Sequence, residues 1–412
     1  MRLLCLSNGH GEDAIALRIL QALQRQPHPP ELAALPLVGA GHAFERSGIP
    51  IIGPVKQMPS GGFVYQDGRQ LMRDLKGGLL QLTLAQLKTV RAWGKSGGHM
   101  LAVGDIVPLL FAWYSGAPYA FVGTAKSEYY LRDEAGLLPR RTWFEKLESL
   151  WGSVYLPWER WLMGNPRCKA VFPRDRLTSE TLAQFGVPAF DLGNPMMDGL
   201  EPSGSFASDA DADPNPPLTF VLLPGSRPPE AYENWQVILE AVAGLVTSLP
   251  QKLRFFAAIA PGLDPHLLHQ TLASNGWHPT SSPSPTPSTP PTYTYHHSTL
   301  SLALPFNDCI HRADLAIAMA GTATEQFVGL GKPAIILPGK GPQFTPAFAE
   351  AQTRLLGPSV ILVKRPSRVA AVVEALLQDP DRLQLIAENG RRRMGEAGAA
   401  ARIAQCLMAQ MQ

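Results

Sequence analysis

Charge of one sign is missing from this 412-residue chain: 36 basic residues meet 34 acidic ones, so no global field recruits nucleic acid. Cysteine is scarce too. Cys5, Cys168, Cys309 and Cys406 are scattered without metal-ligand spacing, and they read as reduced thiols of a cytoplasmic protein. Clustered Asp and His ligands are absent as well, so no metal or other cofactor is expected. No apolar run reaches the about 20 residues that a spanning helix needs. The longest, 106–118, is broken by Tyr114, Ser115 and Gly116, so membrane contact is expected to be peripheral. The strand pattern at 2–6 passes directly into a polar glycine loop, which leaves no room for the apolar stretch of a signal peptide.

What is present is alternation. Strand-like runs at 2–6, 32–37, 101–103, 119–122, 170–172 and 189–192 are separated by helical patterns, which predicts a parallel sheet wound with helices. From 201 to 217 the composition shifts to Ser, Asp, Ala and Pro, and the sheet pattern then restarts. This places an N-terminal domain at 1–202, a linker at 203–217 and a second domain at 218–395. The stretch 279–292 is low in complexity and lacks apolar side chains until Tyr293, so it is expected to be a mobile surface insertion in the second domain.

Two loops of the second domain carry the strongest chemical signal. Thr219-Phe220-Val221-Leu222-Leu223 is an apolar strand, followed by Pro224-Gly225-Ser226-Arg227 and a helix whose inward face reads Trp235, Ile238, Leu239, Val242, Leu245, Val246 and Leu249. Gly225 permits close backbone approach, Ser226 can cap, and Arg227 offers a forked cation for phosphate. Alternatively, this is a capped helix with a surface arginine. The second loop, Gly321-Thr322-Ala323-Thr324-Glu325, follows the apolar run 313–320 and opens a short helix before the strand 334–337. Both loops aim backbone N–H groups and a positive helix end at one place, which suits a diphosphate. Glu325 suits a ribose, although Thr322 and Glu325 also have the spacing of a capping box.

At these residues the chain resembles lipid-A-disaccharide synthase and its relatives among glycosyltransferases of the two-domain B fold. The resemblance extends to Val171-Phe172-Pro173-Arg174-Asp175 and Gly193-Asn194-Pro195-Met196-Met197-Asp198. More distantly, the layout is similar to the transferases that build peptidoglycan lipid intermediates and plastid galactolipids. The resemblance implies an α/β chain of two doubly wound, Rossmann-like domains facing across a cleft, with the end of the chain, 396–412, completing the first. It implies an inverting, metal-independent hexosyl or N-acetylhexosaminyl transfer from a UDP-sugar to a lipid or lipid-linked acceptor. The donor would lie on Gly225, Ser226, Arg227, Gly321, Thr322, Thr324, Glu325 and Gln343. A UDP-sugar epimerase of the same fold, or a non-catalytic nucleotide-sugar or lipid-binding protein, could share both loops.

The acceptor side is expected in Ser7-Asn8-Gly9-His10-Gly11-Glu12-Asp13-Ala14. Gly9, Gly11 and Ala14 satisfy the offsets of a dinucleotide fingerprint. The second strand, however, ends Leu37-Val38-Gly39 with no acid for a ribose, and Glu12 and Asp13 would repel a pyrophosphate. Those carboxylates suit hydroxyl groups, or simply the positive end of a helix. His10, which corresponds to the suspected base of the relatives, and Asp105, at the end of the strand 101–103, are the two candidate bases. Asp105 can also be a helix N-cap.

Residues 139–176 hold Trp143, Trp151, Trp158 and Trp161, half of the eight tryptophans, and eight basic residues against four acidic ones. Such a mixture suits an anionic membrane surface on the cytoplasmic side, while helically spaced aromatics also suit a core.

Overall fold

The structure is a computed structural model that describes residues 1–56, 78–139, 143–203, 216–280, 290–302, 305–341 and 344–411, with His10 and Phe144 described by their backbone alone. The chain divides into two compact units. The first is Met1–Asp198 with Gly395–Gln412, and the second is Gly199–Met394.

In the first unit β1 (Arg2–Ser7), β2 (Glu31–Pro36), β3 (His99–Gly104), β4 (Tyr119–Gly123) and β7 (Cys168–Phe172) form a parallel sheet in the order β2-β1-β3-β4-β7. The short β5 (Arg132–Asp133) and β6 (Gly136–Leu137) pair apart from it. The strands read as continuous apolar runs because helices cover both faces, and Leu3, Leu4, Cys5 and Leu6 are wholly buried. The chain leaves β1 for β2 on one side and returns to β3 on the other. The loops after β1 and β3 therefore diverge, opening the crevice in which such sheets bind ligands.

The stretch 189–192 is not a strand. Only an isolated bridge, Val171 to Ala189, forms there. Pro188 brings no N–H to a ladder, and Gly193 at φ +84° turns the chain away.

In the second unit the parallel strands run β12-β9-β8-β13-β14-β15: β8 is Leu218–Leu223, β9 Leu253–Ala257, β12 Ser298–Leu302, β13 Leu315–Ala318, β14 Ala334–Ile336 and β15 Val360–Leu362. The topological reversal here lies between β8 and β13. An antiparallel hairpin of β10 (His278–Pro279) and β11 (Thr292–Tyr295) extends one edge. The Pro/Ser/Thr stretch at 279–292 thus has its two ends paired in that hairpin, while 281–289 lie outside the described residues. The helix Glu230–Ser248 buries Trp235, Ile238, Leu239, Val242, Leu245 and Val246 along one stripe.

The Gly193 to Asp198 motif has a structural explanation. The helix Ala399–Gln410 begins at Gly398, whose missing side chain cannot cap it. Asp198 supplies the oxygens instead: Oδ1 accepts from the Gly398 (2.5 Å) and Ala399 (3.1 Å) amides and Oδ2 from Ala400 (2.7 Å). Arg402 Nε donates to Leu192 O at 2.9 Å, and a Cβ on Gly193 would come within 2.8 Å of its guanidinium. The Asp198→Ala variant is expected to lose about 1–2 kcal/mol in urea unfolding, since it removes a cap remote in sequence.

Candidate active site

The two loops of the second unit lie side by side. β8 and β13 are neighbours with Ala318 opposite Leu223, and the Met319 amide donates to Leu223 O at 2.8 Å. A Cβ on Gly225 would approach Met319 O to 3.4 Å, and its φ of +99° also favours glycine. Asn234, in the helix that follows, donates to Pro224 O at 3.0 Å and holds this turn from below.

Neither helix start is closed by a side chain. Ser226 does not cap: it lies in the loop, exposed, and the helix starts at Glu230 with Pro229 at the cap position. The capping box expected of Thr322 and Glu325 does not form, because the cap is Gly321 and Thr322 is already the first helical residue. At the second loop the helix start lacks a side-chain oxygen, an arrangement suited to an anion, whereas at the first the Ala231 and Tyr232 amides already donate to Arg227 O (2.9 Å) and Pro229 O (3.0 Å).

The remaining loop residues divide into those that build and those that face outward. Thr324 is buried and its hydroxyl donates to Ala320 O at 2.5 Å, so it shapes the turn. Gln352 Nε2 holds the Ala320 and Gly321 carbonyls, each at 3.3 Å. Thr322 is exposed and Glu325 is buried in the first turn. Arg227 is half-buried; burial pulls its guanidinium below its ordinary pKa while Glu230 opposes the shift. Glu230, itself buried, accepts from the Phe344 amide at 2.8 Å and fastens the segment after β14 to the first loop. A Cβ on Gly341 would collide with that carboxyl at 2.3 Å. Gln343 lies outside the described residues.

At the carboxyl edge of the first sheet, Glu12, Asp13 and Asp105 come together. Asp13 turns inward, where Ser7 Oγ donates to it at 2.6 Å. Asp105 caps the helix Ile106–Ser115, its Oδ1 accepting from Val107 N at 2.8 Å, and Asn8 Nδ2 lies 3.4 Å from its Oδ2. Burial raises the Asp105 pKa, the Val107 amide opposing. Gly9 is the N-cap of the helix His10–Gln24 at φ +123°, Gly11 is exposed on its first turn, and the His10 side chain lies outside the description.

Glu12 is the member of this group that sequence reasoning undervalued. Its Oε1 accepts from Thr124 Oγ1 at 3.1 Å, while Oε2 is buried without a hydrogen-bond partner. The carboxyl lies against Gly104, where an added Cβ would fall 2.7 Å from Oε2. Burial, reinforced by the negative charge of Asp105, raises its pKa to about 8. A glycine directly before Asp105 was the only sequence signal that something had to fit there.

The 139–176 segment splits. Tyr155 is buried, but Trp143, Trp158 and Trp161 are 74%, 49% and 59% exposed. Trp161 packs on Trp113 with ring centroids 5.6 Å apart, beside exposed Leu110 and Tyr114, and Arg167 lies over Trp113. Among the described residues no helix is long and apolar enough to cross a membrane, and no group of His, Cys, Asp and Glu is placed to hold a metal ion.

These two units, each a parallel sheet with its reversal point at the strand carboxyl ends, define the two-domain glycosyltransferase-B fold. Solved structures share it along the whole chain. A Listeria monocytogenes protein provisionally assigned as a UDP-N-acetylglucosamine 2-epimerase superposes with a TM-score of 0.60 at 14% identity, covering 100% of this chain and 96% of its own. The S. aureus MnaA-UDP structure gives 0.59 at 12%, covering 100% and 97%, and Acinetobacter baumannii MurG gives 0.55 at 15%, covering 99% of both. No protein-family model and no curated protein sequence matches the chain.

Proposed function

We propose that this protein is an inverting, metal-independent glycosyltransferase that moves a sugar from a UDP-sugar to a lipid or lipid-linked acceptor. The observation that carries the reading is the junction of the 223–227 and 320–325 loops at the carboxyl ends of adjacent strands, with the uncapped start of the helix Thr322–Gly329 in the second loop and the half-buried Arg227 in the first. In this reading the helix ends and Arg227 take the negative charge that develops on the leaving diphosphate, and Glu325 takes the ribose. Similar structures named for UDP or UDP-GlcNAc complexes support the choice of donor. The acceptor is assigned to the edge bearing Asn8, Glu12 and Asp105. The exposed Trp143, Trp158 and Trp161 support a lipid acceptor and peripheral work at an anionic, cytoplasm-facing membrane surface.

An epimerase acting on the same donor is the second reading, favoured by the epimerases among the similar structures. One experiment separates them. UDP-sugars are screened by thermal shift, and the best, labelled in its sugar, is then incubated with the protein, first alone and then with membrane lipids. Transfer of label to lipid only when lipid is present is the expected result. Appearance of an epimer without acceptor would replace the transferase, and no shift with any UDP-sugar would reject both. Flotation with anionic vesicles is expected to carry the protein upward and Trp158→Ser/Trp161→Ser to leave it in the soluble fraction.

A further inference from the structure

Three strand ends converge on one carboxyl group in the first unit. Glu12 projects from the first turn of the helix after β1, touches the backbone of Gly104 at the end of β3, and receives the hydroxyl of Thr124 just after β4. The Thr124 amide in turn donates to Gly104 O at 3.1 Å, and Arg174 Nη1 donates to Thr124 O at 3.1 Å, so the donor to Glu12 is itself fixed. The crevice formed by the reversal between β1 and β3 opens at this place. The other two carboxylates of the edge have fixed duties. Asp13 holds Ser7, and Asp105 holds the Val107 amide. Of the three, Glu12 carries a buried oxygen without a hydrogen-bond partner.

Resting on the transferase reading, we infer that Glu12 is the catalytic base that accepts the acceptor's proton, with Asp105 as the positioning residue that tunes it. In the step, the acceptor O–H bond breaks and its proton passes to the Glu12 carboxylate. The oxygen's electron pair forms the bond to the anomeric carbon, and the bond from that carbon to the diphosphate breaks, its electrons leaving with UDP. The groups facing Glu12 fit the task. Asp13 on its own helix and Asp105 at the end of β3 are both acidic, Thr124 and the Asn8 backbone are neutral, and the Lys126 that acts on Asp105 is engaged by Glu159 at 2.6 Å. A base surrounded in this way holds its proton strongly yet releases it near neutral pH, the range in which proton transfer is most effective.

The test has two arms on the full-length protein. In the first, carbon-13 NMR of labelled glutamate carboxyls, assigned with Glu12→Gln, follows the titration without any need for turnover. A midpoint near 8 that falls in Asp105→Asn is expected, because a neutral neighbour removes the like charge. A midpoint between 4 and 5 overturns the inference. In the second, kcat at saturating donor is expected to rise tenfold per pH unit below 8 and to level above it. Glu12→Gln should lower kcat by about 10²–10⁴-fold with the donor KM unchanged. The rising limb should move to lower pH in Asp105→Asn. Near-normal kcat in Glu12→Gln overturns the role, and urea unfolding of that variant through transitions as sharp as those of the unsubstituted protein shows that it is folded. Failure of the transferase reading looks different: no turnover by the unsubstituted protein, beside a titration that is still raised, withdraws the catalytic step and leaves a proton-holding carboxyl.

Discussion

Replacing Arg227 with alanine is expected to lower kcat for sugar transfer by about 10²–10³-fold, the loss typical of removing one preorganised partner of a developing oxyanion. The expectation follows from where the residue lies. Gly225 brings the loop against Met319 at the end of the neighbouring strand, and Arg227 follows two residues later, half-withdrawn from water where its charge is less screened. Arg227→Lys should recover only part of the loss, because an ammonium keeps the charge and gives up the forked pair of N–H donors. Steady-state kinetics with calorimetric UDP binding would distinguish this from a distorted loop. A variant that binds UDP as tightly as the unsubstituted protein and turns over normally would remove Arg227 from the site.

The second large effect is on stability. The Glu12 carboxyl has an ordinary pKa near 4.5 in the unfolded chain and about 8 in the fold. Below pH 4.5 both states are protonated and Glu12 contributes no difference. Between 4.5 and 8 the folded state keeps a proton that the unfolded chain has released, so stability falls as pH rises, and above 8 the loss is complete. The full cost is on the order of 3–5 kcal/mol. Glu12→Gln, which can still accept from Thr124, is therefore expected to be more stable than the unsubstituted protein by about 2 kcal/mol or more at pH 9, and equal to it at pH 4. Urea titrations at the two pH values check this, and equal stability at both would mean that the carboxyl is not strained.

Apart from 189–192, the predicted strands and the two strand-to-helix loops were legible in the sequence because their signals are local. An apolar run such as 219–223 followed by Gly225 identifies both a buried strand and a close approach within a few residues. The Ser226 cap and the Thr322–Glu325 box failed for a related reason: each needs a helix to start at one particular residue, and the starts fell at Glu230 and Thr322. Glu12 was harder to read. Its state depends on Thr124, 112 residues away, and on Asp105, which no window along the chain brings together. The same holds for Glu230, whose bond to the Phe344 amide spans 114 residues. The structural role of the Gly193 to Asp198 motif was equally out of reach, for it holds the start of a helix 200 residues away.

The manner in which the first unit is closed bears on biosynthesis. Its sheet is encoded before residue 199, but the helix that buries Ile403 and Leu407 is translated only after every residue of the second unit. A nascent chain emerging from the ribosome would hold a complete second unit while the first still exposed the apolar surface awaiting that helix. Premature termination near residue 394 would therefore strand an unfinished amino-terminal half, leaving it open to chaperones and proteases.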